Sequence, residues 1–432
     1  MQRTLSFELA PALKAVARYF LSAPLFAIAA GLLMLVAGED AFASRWSPAT
    51  LALTHLFTLG ILSMSMIGAL IHIMPVVAGM PLPHVDTGAP LVHALLCAGT
   101  LALAGAFWFA QGWLFGLALA LLLVAFGLLL LACALALRRA APAAAHTVAA
   151  LRLALGALAL TVVLGALLGG ALAWPALLRL DVVALTNVHA LWGLAGWVGL
   201  LIIGVAYQVI PMFQVTPPYP KRFARALAPA LVVAVLARSA RGTIGGSGAH
   251  GLAALLDVAL PCGYLVFACA TLWLLSRRKR PPDPTTWFWR VSMASLIACM
   301  VLVLLPGPMG GEARPLLLGV LFVMGFAVSA INGMLYKIVP FLVWYHLQSS
   351  AVGAMHLVPG VKRILPDLLA TWQFRAHCAA LAMLLAAALD PPLWARPAAL
   401  ALCLSAAFLL HNVLHALRIY AKLSLLGGTK GI

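Results

Sequence analysis

Charge is what this chain has least of. Only 9% of its 432 residues are charged, ten Asp and Glu against 27 Lys and Arg, so it lacks the polar surface that a water-soluble domain must present. The seven cysteines (Cys97, Cys133, Cys262, Cys269, Cys299, Cys378 and Cys403) form no CxxC pair. They fall within or at the ends of apolar runs and read as small buried residues, which indicates neither a disulfide frame nor a zinc or iron–sulfur site. The glycine-rich stretch 242–251 has no strand before it, as a phosphate loop requires, and reads as a flexible loop. The first apolar run, by its length and the need for an even span count, is expected to stay in the protein as a span rather than be cleaved as a signal peptide.

What the chain has in abundance is apolar sequence: 65% of residues are hydrophobic and the mean hydropathy is +1.09, values that belong in a bilayer. A helix crosses the hydrocarbon core in about 20 apolar residues. Twelve such runs are expected, roughly at 20–37, 49–75, 91–110, 114–137, 151–173, 182–211, 226–240, 251–276, 286–306, 315–344, 376–390 and 397–417. The formal net charge of +17 is spread between these runs rather than gathered in a patch, so lipid and not nucleic acid is the expected partner. Arg45, Arg179, Arg238, Arg241, Arg314 and Arg396 fall in the odd-numbered loops, and the other 21 of the 27 basic residues fall on the opposite side. By the positive-inside rule both termini are then cytoplasmic, in a bacterial-type inner membrane.

The spans carry a repeat. Gly68-Ala-Leu-Ile-His-Ile-Met-Pro75 returns as Gly204-Val-Ala-Tyr-Gln-Val-Ile-Pro211 and as Gly333-Met-Leu-Tyr-Lys-Ile-Val-Pro340. The fold class expected is an all-α membrane bundle of three pseudo-equivalent four-helix units at about 20–137, 151–276 and 286–417. Residues 1–19 read as an interfacial helix. The segment 345–375 reads as a connection carrying a second one over 357–369.

Polar side chains inside spans are expensive, so they are the first candidates for function. His55 and His189 lie a few residues inside the outer ends of spans 2 and 6. His72 follows His55 by 17 residues, about 25 Å along a helix, and belongs to the inner side. His411 and His415, at i and i+4, share the inner end of one helix face. Methionines recur beside these histidines, among them Met64, Met66, Met74, Met324 and Met334, and thioethers with imidazoles suit copper(I) or an axial heme position. Each of these residues also has an ordinary reading as core packing or an interface hydrogen bond. The glycines of the repeated helices permit either close helix contact or entry of a flat cofactor.

Twelve spans in three units, with His55-x-x-x-x-Gly60 running on to Gly68 and Pro75, resemble the heme-copper oxidase subunit I superfamily and the related NnrS proteins, which are linked to heme and copper binding and to nitric oxide stress. The resemblance implies that His55 matches a histidine that binds low-spin heme, and His189 one that binds copper. It also implies Met324 or His189 as a second axial ligand to a b-type heme, and respiratory-chain or oxidase subunits as partners. Span 7 has no histidine pair and span 10 has no His-x-His, so no complete oxygen- or nitric-oxide-reducing centre is expected. The function expected is a heme- or copper-binding membrane protein in electron transfer, nitric oxide response or metal homeostasis. A transporter of copper(I) or a small solute, or a cofactor-free assembly partner, is the alternative.

Overall fold

A computed structural model describes residues 11–138, 145–240, 250–305, 311–350 and 358–428. Among them are twelve helices long and apolar enough to cross a membrane: Leu13–Phe42, Pro48–Val76, Val85–Phe109, Gly112–Leu137, His146–Ala173, Val182–Gln214, Lys221–Ala240, Asp257–Ser276, Pro284–Leu304, Ala313–Ser349, Asp367–Leu389 and Pro391–Ser424, here spans 1 to 12. No strand occurs among the described residues. Polar caps start several of the helices. Ser47 Oγ accepts the Thr50 N–H ahead of span 2, Asp181 accepts from Ala184 N ahead of span 6, and Asp283 forms a capping box with Thr286 ahead of span 9.

Spans 2, 6 and 10, the second helix of each unit, form the centre. In their most apolar windows 83, 61 and 67% of residues are buried by protein, against 28–44% in the other nine. The outer helices turn residues such as Leu25, Leu101, Leu131, Val233 and Leu400 outward, as lipid contact allows. Each central helix contains a π-helical stretch: Leu56–Ser63, Trp192–Gly199 and Val320–Val328. Each stretch ends five residues before the repeat glycine of its own copy, Ser63 before Gly68, Gly199 before Gly204 and Val328 before Gly333. The stretch in span 10 touches both of the others. π segments are rare and concentrate at functional sites.

Two glycines, eight residues apart, dock each central helix on the first helix of its unit. A Cβ at Gly60 or Gly68 would come within 3.0 Å of Phe26 or of Phe20 and Tyr19 in span 1. At Gly196 or Gly204 it would meet Ala157 or Ala150 in span 5, and at Gly325 or Gly333 it would meet Ser295 or Phe288 in span 9. The space above these glycines is therefore taken by protein, which favours the close-contact reading over cofactor entry.

Several boundaries differ from the sequence expectation. The repeat prolines do not end their helices, because Pro75, Pro211 and Pro340 lie inside helices that run on to Ala78, Gln214 and Ser350. A proline forfeits one backbone hydrogen bond, a loss the packed surroundings tolerate here. Of the expected interfacial helix, residues 1–10 lie outside the described residues, and from Leu13 the chain is already in span 1, with Val16, Tyr19 and Phe20 buried. Much of 345–375 belongs to helices too, since span 10 reaches Ser349 and span 11 begins at Asp367. Charged and amide residues (Asp367, Gln373 and Arg375) disguised the first turns of span 11. The glycine-rich loop lies largely outside the described residues.

Candidate functional site

His55 is the last residue before the first π segment. Its Nδ1 is 2.8 Å from the Leu51 carbonyl oxygen, and its ring stacks on Phe107 of span 3 at 5.2 Å. His189 sits just outward of the second π segment, with Nδ1 3.1 Å from the Thr161 carbonyl and its ring over Gly165, both in span 5. A carbonyl oxygen only accepts, so Nδ1 carries the proton in both neutral rings and Nε2 keeps its lone pair. That arrangement fixes metal-binding imidazoles, with one nitrogen tied to the protein and the other presented. The two imidazoles stand on central helices whose π segments both touch that of span 10. Their registers are not identical, since His55 precedes Gly68 by 13 residues and His189 precedes Gly204 by 15.

Above them a polar tie joins all three units. Arg45, in the loop before span 2, donates from Nη2 to Asn187 Oδ1 of span 6 at 2.8 Å, and its backbone N–H donates to Glu312 Oε2, ahead of span 10, at 3.2 Å. At the inner end, Asp283 pairs with Lys337 of span 10, and Thr286 Oγ1 donates to Gln214 Oε1 of span 6 at 2.6 Å. Sequence alone suggests that Lys337 snorkels to the interface; instead it finds a carboxylate partner. Asp257, the carboxylate that sequence places in the outer half of span 8, lies inside the helix His250–Ser276 and pairs with Arg238 at 3.3 Å.

The remaining sequence candidates are scattered. His72 is buried toward the inner side, and its Nδ1 has no hydrogen-bond partner. His411 and His415 stack with ring centroids 6.4 Å apart, the first exposed and the second half-buried. Met324 is buried in the third π segment. Among the described residues no three His, Cys, Asp or Glu side chains gather as a metal cluster.

A b-type heme fits these residues poorly. The cavity that Met324 lines is about 20 Å³ and excludes His55 and His189, while a cavity of about 260 Å³ near the inner end of spans 2 to 4 includes none of the three. Ligand-sized sites run to roughly 300 Å³ and above. Where the three central helices meet, a third cavity of about 60 Å³ is lined by apolar side chains with Ser65, Met66 and Met334.

Sequence reasoning missed the most polar part of the interior. His377, expected near a span end, lies ten residues into span 11 and is fully buried. Its Nε2 is 2.7 Å from Ser329 Oγ and its Nδ1 is 3.4 Å from Asn332 Nδ2, which occupies both ring nitrogens and leaves none for a metal. Gln373, Ser405 and Asn412 are buried nearby. The i, i+4 spacing of Gln373 and His377 on one helix face was the available signal, hidden by the late boundary assigned to span 11.

No protein-family model matches the chain, and no curated protein does either. The chemistry therefore rests on the residues themselves. Two imidazoles with free Nε2 atoms, on central helices of different units, are the arrangement best suited to hold something.

Proposed function

We propose that this is a copper-binding membrane protein and that His55 and His189 together hold one copper ion near the outer side of the bundle. The observation that carries the reading is the shared geometry of the two imidazoles, each tied through Nδ1 to a backbone carbonyl while Nε2 stays available. Imidazole is a good copper ligand, and a pair of neutral rings without a carboxylate suits the singly charged ion. Copper bound there supplies one-electron exchange or is itself the cargo. The setting proposed is a bacterial-type inner membrane, beside respiratory subunits, on a scaffold like that of oxidase subunit I.

The test is an oxidised and dithionite-reduced optical spectrum of the purified protein, with iron and copper determined on the same sample. Stoichiometric copper is expected, lost in His55→Ala and in His189→Ala, with no Soret band. A Soret band that disappears in the same variants would replace copper with heme. Neither metal, in protein produced with both supplied, would overturn the reading.

One further observation favours passage of copper(I) over static storage. The cavity where the central helices meet carries two thioethers, Met66 and Met334. Its lining on span 2 runs from Ser65 to Ile73, inward of His55 and reaching the level of His72, and soft thioether ligands favour copper(I). Copper uptake into proteoliposomes is expected to fall at least several-fold in Met66→Leu/Met334→Leu. Unchanged uptake in that variant, or none in the parent protein, would rule passage out.

A further inference from the structure

The 20 Å³ cavity between spans 1, 2, 10, 11 and 12 has polar groups on its wall: Ser65, Asn332, Gln373, His377 and Ser405, with the Met324 thioether beside them. Each of the five polar residues is at most 3% exposed, so their hydrogen bonds must be met inside the protein. Most are. Ser329 Oγ lies 3.4 Å from the Met324 carbonyl and 2.7 Å from His377 Nε2, and Gln373 Nε2 donates to Ser405 Oγ at 3.3 Å. Two atoms on the cavity wall have no partner, Gln373 Oε1 and Ser65 Oγ.

Two such orphans cost about 1–3 kcal/mol each. Both residues line this one space, Ser65 at its border with the 60 Å³ cavity as well, and the space exceeds the roughly 10–15 Å³ that one water needs. We infer that one water molecule is built into this cavity, donating to Gln373 Oε1 and accepting from the Ser65 hydroxyl. No carboxylate lines the cavity, so a cation there would have no opposite charge to offset its desolvation. The ligand is therefore neutral.

The bridge spans two units. Ser65 is on span 2 of the first unit, and Gln373 is on span 11 of the third. Through Ser329 the same cluster reaches the Met324 carbonyl in the third π segment. The water is thus the polar joint between one central helix and the outer wall of another unit.

The experiment is a structure of the full chain at a resolution that resolves ordered water, for the parent protein and for Ser65→Ala, with thermal midpoints of both in detergent. Expected are a density peak within hydrogen-bond distance of Gln373 Oε1 and Ser65 Oγ, its loss or weakening in Ser65→Ala, and a lower midpoint for that variant. An empty cavity together with an unchanged or raised midpoint would overturn the inference, because Ser65→Ala would then only have removed an orphan. A midpoint that rises specifically with sodium or potassium at constant ionic strength would overturn the neutral ligand. Gln373→Met, which keeps the side-chain length, checks the other partner and is expected to lose the same peak.

Discussion

Asp283→Ala is expected to destabilise the protein by about 3 kcal/mol, the low end of the cost of breaking a buried ion pair, because the two side chains remain about a fifth exposed (19 and 21%). Three things fail at once. Lys337 loses its carboxylate partner in a largely buried site, the Thr286 N–H loses the Asp283 Oδ1 cap at 2.9 Å, and the inner tie between spans 6, 9 and 10 loosens. Removing both charges with Asp283→Ala/Lys337→Met should recover much of the loss, since apolar replacement of a buried pair is often neutral. Thermal or denaturant unfolding of the purified variants measures this, and a single variant as stable as the parent would refute it.

The same carboxylate sets an acid limit. Burial alone would raise the Asp283 pKa, but the hydrogen bond and charge of Lys337, with Thr286, outweigh it and hold the carboxyl below its ordinary value. A depressed folded-state pKa contributes stability that is fully present above the unfolded value, about 4, and is lost as pH falls through the lower folded one. The parent protein should therefore lose stability below about pH 4 more steeply than Asp283→Ala. Equal acid profiles would show that the pair contributes nothing.

Gly199→Ala carries the second large effect. The new Cβ would lie 2.0 Å from the Tyr264 hydroxyl and 2.8 Å from its Cζ. Tyr264 is buried, and its hydroxyl donates to the Ala195 carbonyl inside the second π segment. Overpacking costs about 1–3 kcal/mol and the hydrogen bond about 1 more, so a loss of about 2–4 kcal/mol is expected. Gly127→Ala supplies the comparison. Nothing lies within 4 Å of a Cβ there, and alanine in a helix interior is favoured by roughly 0.5–1 kcal/mol. If the two variants unfold at the same midpoint, the close approach at Gly199 has no energetic weight.

These residues mark how far sequence reading reached. The repeat glycines marked spans 2, 6 and 10 as equivalents, because a spacing of that kind survives in the linear chain; that these are the central helices came from their burial. The π segments left no such mark. Leu56–Ser63 and its counterparts contain no proline and share no composition beyond a glycine in each, and their widened turns follow from how the helices are held. Gly199 closes a π segment with Tyr264 opposite, whereas Gly127 stands in a regular α-helix with nothing opposite.

Hydropathy by itself determined the class and the twelve spans, because each follows from transferring a segment between water and lipid, while the repeat and the distribution of basic residues supplied the expected units and orientation. Tertiary structure alone decided the rest. It set Lys337 against Asp283, put His377 in the interior, and tied His55 and His189 through Nδ1 to the carbonyls of Leu51 and Thr161. Inside a bilayer almost every residue is apolar, so the chain's pattern hardly distinguishes a lipid-facing position from a protein-facing one. Which polar side chains meet is settled by the rotation and depth of each helix, and these are set by packing against neighbours distant in sequence.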